Sequence, residues 1–159
     1  MLTQYQRRAE LVPDLLISVK AEASFEQDTL TQVIEARAKA TSIQVTPETV
    51  NDPEAFQRFQ AAQSQLDTAL SRLMVVSEQS PNLQARKKFG DLRVQLESTE
   101  HRITEARNAY IQSVQAYNLL LRNFPSKLTA MAMGYKAKES FTVAKEARIA
   151  LPTRIDLSK

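Results

Sequence analysis

His101 is the single imidazole of this 159-residue chain and cysteine is absent, which narrows the metal and nucleophile chemistry open to it. A di-iron helical bundle needs two Glu-x-x-His units on facing helices. Glu97 and Glu100 precede His101 at the wrong spacings, and no second imidazole exists to complete a pair. Ser-His-Asp chemistry would have to use the same histidine, with no Gly-rich elbow and no evident oxyanion loop beside it. Two glycines in the whole chain leave no loop to cradle a phosphate. The lack of cysteine removes disulfides, thiol nucleophiles and thiolate metal sites. The expectation is a protein that is not an enzyme, with no catalytic, cofactor-binding or metal-ligating residues and no cofactor.

Charge placed at regular spacing is a different matter. Arg93, Glu100 and Arg107 are seven residues apart, each one position past a seam residue, Leu92, Thr99 and Ala106, at the boundary of the apolar face. Two readings are open. They are solvated flanking charges, each worth a few tenths of a kcal/mol, or they are an ion-pair ladder that fixes the register of a helix. The candidate ladder partners are Glu35, Arg37, Arg72 and Glu78. Both readings are structural.

The element that must carry this stripe is a long helix. Phe89, Leu92, Leu96, Thr99, Ile103, Ala106, Tyr110, Ser113, Tyr117, Leu120 and Phe124 step by three and four, the seam of a helix facing a partner. From Pro81 to Pro125 it would run roughly 60 Å at the helical rise, and it needs neighbours along that seam. A first helix is expected from Leu2 to about Ala40, its inner face marked by Val12, Leu15, Leu16, Val19, Ala23, Leu30, Val33 and Ile34. Pro13 either kinks it or opens it. Thr41–Asp52 reads as a loop. Asp52-Pro53 and Ser80-Pro81 each pair a good N-cap with a proline suited to the first helical position. Helix two lies between them, with Phe56, Phe59, Leu66, Leu70, Leu73 and Val76 inward. After Phe124-Pro125 the pattern predicts a short helix to about Met133, a turn at Gly134 and a helical piece over Lys138–Ala147. The fold class is therefore all-α, a long antiparallel bundle of three long helices plus a shorter C-terminal fourth. Residues 1–147 form the bundle, and residues 148–159 a strap or loose tail. No run approaches the ~18–20 apolar residues needed to cross a bilayer, and no signal-peptide pattern opens the chain. Residues 1–80 carry a net −4 and residues 81–159 a net +7. Either the two halves pack against each other, or a basic surface meets an anionic partner.

Several segments, taken in order, resemble the LemA family of helical-bundle proteins. Arg7-Arg8-Ala9-Glu10-Leu11-Val12-Pro13-Asp14-Leu15-Leu16 is similar to that family's RR-x-DLIPNLV opening, and Val33-Ile34-Glu35-Ala36-Arg37 to its V-x-EAR segment. Leu70-Ser71-Arg72-Leu73-Met74-Val75-Val76-Ser77-Glu78 looks like L-x-RLLAVVE. Leu92 and Gln95-Leu96-Glu97-Ser98-Thr99-Glu100-His101-Arg102-Ile103 look like LQ-x-EL-x-x-TENRI, continued by Ala106-Arg107 and Tyr110. Tyr117-Asn118, Phe124-Pro125 and Gly134-Tyr135 with Phe141 match the closing pattern. The resemblance spans about residues 5–142, and its specificity lies in the succession of motifs. Arg86-Lys87-Lys88 departs from the neutral-to-acidic stretch usual there, and His101 stands where Asn is usual.

What the resemblance implies is a bacterial, membrane-anchored bundle without established enzymatic activity, its transmembrane helix lying just before the Arg pair and missing from this chain. Some members belong to magnetosome membranes. The function expected is a membrane-tethered scaffold or protein-interaction module. The alternative is a protein that binds anionic lipid or a membrane surface, including a specialised one such as the magnetosome. Partners would be other proteins and the membrane, reached through the anchor and anionic headgroups, and not nucleic acid. With an anchor before Leu2, three alternating helices would return the Ser80–Pro81 turn to the membrane end. Arg7, Arg8, Arg86, Lys87 and Lys88 would then form a membrane-proximal basic cluster, which favours a cytoplasmic bundle. The alternative is that Arg86–Lys88 simply solvate an exposed corner.

Overall fold

The computed structural model of the protein describes residues 1–22, 24–46 and 48–141. The described residues are all-helical, without a strand: α1 (Leu2–Lys20), α2 (Gln27–Ser42), α3 (Pro53–Glu78), α4 (Pro81–Gln84), α5 (Lys87–Arg122) and α6 (Ser126–Ala132), with a 3₁₀ turn at Thr49–Asn51. The caps fall where the sequence places them. Asp52 accepts hydrogen bonds from the amides of Glu54 and Ala55 at 3.0 and 3.1 Å, and Ser80 accepts one from the Leu83 amide at 3.4 Å.

The long first helix expected over Leu2–Ala40 is instead a hairpin of α1 and α2. Its inward pattern lapses between Val19 and Leu30, where the helical spacing reaches Glu22 and Glu26, so an unbroken helix would gain no burial there. Phe25 turns in against the core at the corner. The carbonyls freed at the end of α1 find a donor in Arg86, whose guanidinium reaches Ser18 O at 3.4 Å and Ala21 O at 3.3 Å. This split corrects the expected architecture. α1 packs against α2 and α5, and α2 against α3, so α2 takes the fourth position assigned to the C-terminal pieces. The third helix is also interrupted, its first turn α4 standing apart from α5.

Two apolar clusters fill the bundle. Near the α1–α2 turn lie Leu15, Val19, Leu30, Val33, Leu66, Leu73, Leu83, Phe89 and Leu92. At the other end Tyr5, Phe56, Phe59, Ile103 and Phe141 pack together, flanked by Met1, Leu2 and Tyr110. Each such side chain, fully buried, contributes roughly 1.5–3 kcal/mol.

The seam of α5 holds from Phe89 to Ile103, all five of its residues being buried. Beyond that, the inward stripe shifts by one residue, to Arg107, Tyr110–Ile111, Val114 and Asn118, while Ser113, Leu120 and Phe124 face out. A straight helix turns every 3.6 residues, and a 3.5-residue pattern drifts off its face by about 20° per heptad.

α5 is the longest helix, and its last turns pass the ends of α1–α3. There its neighbours are α6 and the segment that follows the Gly134 turn, where φ is +68°. That segment has no regular secondary structure over Lys138–Phe141, where the pattern predicts a helix. Asn118 explains why: its amide donates to Lys138 O at 3.0 Å and accepts from Lys138 N at 2.9 Å, taking both backbone groups of that residue and holding the segment on α5. The remainder of that expected helix and the 148–159 strap lie outside the described residues, as does Ala23.

Candidate functional site

At the middle of the bundle stands a charge, not an apolar residue. Arg8 lies three residues after Tyr5 and four before Val12, on the buried stripe of α1, and its side chain is fully buried. Its guanidinium ion-pairs with Asp67 of α3 and with Glu100 of α5, the latter at 3.1 Å. It also donates to Gln63 Oε1 at 2.6 Å and lies 5.3 Å from the centre of the Tyr5 ring. Three helices thus meet at one planar fork, which Arg suits because its donors are fixed in direction. Burial pulls the guanidinium below its ordinary pKa, while Glu100 opposes the shift. Nε has no acceptor among the described residues.

Arg8 was placed at a membrane-proximal surface by sequence reasoning, and the structure corrects that. The signal was present: position 8 continues the Tyr5–Val12 spacing, and an arginine on an apolar stripe is there to be paired. Arg7, next to it, is exposed. Arg86 meets Ser18, Ala21 and Glu22 at the far end of α1, with Lys87 and Lys88 exposed beside it. Ten or more residues of helix, about 15 Å or more of rise, separate that corner from Arg8. The five cations are not brought together, because the extra turn at 21–26 reverses the direction of every later helix.

The stripe on α5 divides among three environments. Glu100 crosses to Arg8. Arg93 lies 3.1 Å from Glu97 on its own helix and 3.9 Å from Glu78 of α3. Arg107 lies over the Phe141 ring, 4.7 Å from its centre. Of the other candidate partners, Glu35 is exposed, and Arg72 binds Glu26 of the α2 N-terminus at 2.7 Å. Arg37 does something the sequence did not disclose. Pro13 has no N–H to offer Ala9 O, its partner in the helical ladder. Arg37 Nε of α2 donates to that carbonyl at 2.9 Å. The proline in α1 is therefore compensated by an arginine from the neighbouring helix.

His101 is exposed, 3.5 Å from Glu105, and no group of three potential metal-ligating side chains occurs among the described residues. No helix among them is long and apolar enough to cross a membrane. Exposed large apolar residues are concentrated at one place. Of eleven among the described residues, seven fall between Leu119 and Tyr135, at the elbow of α5 and α6, including Phe124 at 81% and Met131 at 71% exposure.

An all-helical bundle, tied through its middle by one buried arginine and apolar at one tip, is the class of protein these observations define. The chain belongs to the LemA family, whose profile matches residues 1–155. It is similar to magnetosome protein MamQ of Magnetospirillum gryphiswaldense, with 29% identity over 92 residues, which are 58% of this chain and 34% of that protein.

Proposed function

We propose that the protein is a non-enzymatic helical scaffold or protein-interaction module that works at a membrane. The observation that carries this reading is where the polar side chains go. Arg8, Asp67, Gln63 and Glu100 join three helices, and Arg37 ties a fourth, α2, to α1, so the interior polar groups serve rigidity. Family membership and the relative's name as a magnetosome protein support the membrane setting.

The test is photo-crosslinking of the full-length protein in its native membrane, with reactive groups at exposed positions such as Ile17 and Val94. Recovery in the membrane pellet and adducts to the same few proteins are expected. A protein that stays in the supernatant, or membranes that yield no adduct from any position, would overturn the reading. The alternative, a protein that binds anionic lipid at its surface, is favoured by the apolar elbow and has a definite place on the molecule.

A further inference from the structure

The elbow of α5 and α6 combines three properties. It is apolar and exposed: Phe124, Leu128, Met131 and Tyr135 are all more than half accessible. It is free of acid: between Glu105 and Glu139 the chain has no acidic residue and five basic ones. Arg107 and Lys138 of these are engaged, by Phe141 and Asn51. Arg122, Lys127 and Lys136 are exposed and form no ion pair among the described residues. Finally, the elbow lies beyond the point where α5 meets the chain's start. Tyr110 and Ile111, like Met1 and Leu2, pack against the apolar cluster at this end of the bundle, and the eleven residues from Gln112 to Arg122 carry α5 roughly 17 Å further. Glu139 follows Lys138 in the segment held against Asn118, and Glu48 and Asp52 flank Asn51, which Lys138 reaches, so these acids lie before the elbow and not within it.

We infer that the α5–α6 elbow inserts into the headgroup region of an anionic bilayer, Phe124, Leu128 and Met131 entering the acyl boundary while Arg122, Lys127 and Lys136 meet the lipid phosphates. A protein groove would be expected to offer a concave face or mixed charge. An exposed apolar tip whose own charged residues, from Leu119 to Tyr135 and on to Lys136, are all cations, with a tyrosine at its edge, matches the gradient of a membrane interface. The N-terminus of α1 lies at the end of the bundle from which the elbow projects, so a chain tethered there would present the elbow to the same membrane. The inference rests on the reading of the protein as membrane-associated, but not on a scaffold role or an anchor, since vesicle binding by the elbow is measured without either.

The chain has no tryptophan, so a single reporter is clean. Phe124→Trp should show a blue-shifted, acrylamide-protected emission on vesicles of phosphatidylglycerol and phosphatidylcholine in equal parts at low salt. Val75→Trp, exposed on α3 near the opposite end, should show neither. Replacing Arg122, Lys127 and Lys136 together by Gln should weaken binding to these vesicles about a hundredfold. Leu128→Asp should weaken it about tenfold or more. Both variants should keep the parent's circular dichroism melt, because the altered side chains are exposed. Absence of a shift on these vesicles, an equal shift from Val75→Trp, or unchanged binding by either variant overturns the inference. So does a blue shift of Phe124→Trp that grows with protein concentration without lipid, since another protein surface would then cover the elbow.

Discussion

A buried arginine is costly unless every partner is in place, and Arg8 shows how the cost is shared. Its carboxylates, Asp67 and Glu100, are each partly exposed, at 40% and 38%. Water can therefore take over an acid that loses Arg8, whereas Arg8 has no such recourse. The asymmetry predicts that Glu100→Gln, which strands part of the guanidinium, destabilises by about 1–3 kcal/mol. Urea or thermal melts measure it, and a variant within half of the lower figure would mean that Asp67 and Gln63 suffice. Arg8→Lys should not rescue function of the network, because a single ammonium cannot address Asp67, Glu100 and Gln63 in the fixed directions of a fork. Arg8→Met should then be less damaging than Arg8→Lys, since a thioether of similar length leaves no buried charge. Of the stripe Arg93, Glu100 and Arg107, with Glu35, Arg37, Arg72 and Glu78 as candidate partners, Arg93 reaches the candidate Glu78 of α3 at 3.9 Å, whereas Glu100 crosses to a residue outside that set. That residue is Arg8, legible as a member of the Tyr5–Val12 stripe, but an Arg7-Arg8 pair at a helix start carries the same local signal as a surface cluster, and only the distant Asp67 and Glu100 decide between the two.

Helices in this chain end or survive according to who satisfies their backbone. Pro13 is tolerated inside α1 because Arg37 supplies the donor that Ala9 O lacks. This coupling is testable by a double-mutant cycle. Arg37→Met should cost about 1–2 kcal/mol in the parent, and clearly less alongside Pro13→Ala, where the residue-13 amide bonds Ala9 O itself. Equal costs in the two backgrounds would show that Arg37 matters for some other reason. The start of α2 depends on Glu26, which accepts from Thr29 Oγ1 at 2.8 Å and pairs with Arg72 of α3. The Thr29 hydrogen bond first, and Arg72 with it, hold the Glu26 carboxyl below its ordinary value of 4.5. A depressed carboxyl stabilises the fold while it is ionised, so this contribution is present above 4.5 and disappears as pH falls through the lower folded value. Melting temperature should drop over that acid window in the parent, and Glu26→Gln should flatten this part of the profile while lowering stability at neutral pH. A parallel profile for the variant would assign the acid sensitivity elsewhere. The caps at Asp52 and Ser80 were readable because cap chemistry is local. The turn at 21–26 was not, because it has no described glycine or proline and owes its existence to Phe25 and to Arg86, sixty residues away in the chain.

One missed turn changed the parity of the whole molecule. With α1 and α2 as a hairpin, Arg86–Lys88 move to the end opposite the chain's start, and the α5–α6 elbow takes the end they vacate. Fold class and most helical segments could be read from the sequence, since periodicity is a property of each segment. Which end faces which could not, since it depends on counting every reversal correctly. The same layout predicts a gradient of stability along the long axis. Leu92, Leu96, Thr99 and Ile103 of α5 are surrounded by helices, whereas its last turns are held by α6 and by the Lys138–Phe141 strap. Hydrogen exchange should accordingly be slowest over Leu92–Ile103 and fastest, within α5, over Leu119–Arg122. Phe141 anchors the strap among Phe56, Tyr110 and Arg107, with ring centres 5.1 and 5.5 Å away for the first two. Truncating a buried Phe typically costs about 3–5 kcal/mol, but a segment peripheral to the helices can undock instead of straining the core, which caps the loss at its own docking free energy. Phe141→Ala should therefore lower global stability by less than that range and extend fast exchange from the tip of α5 back to Tyr110, leaving Leu92–Leu96 unchanged. Uniform acceleration along α5 would mean that the strap and the body unfold as one unit.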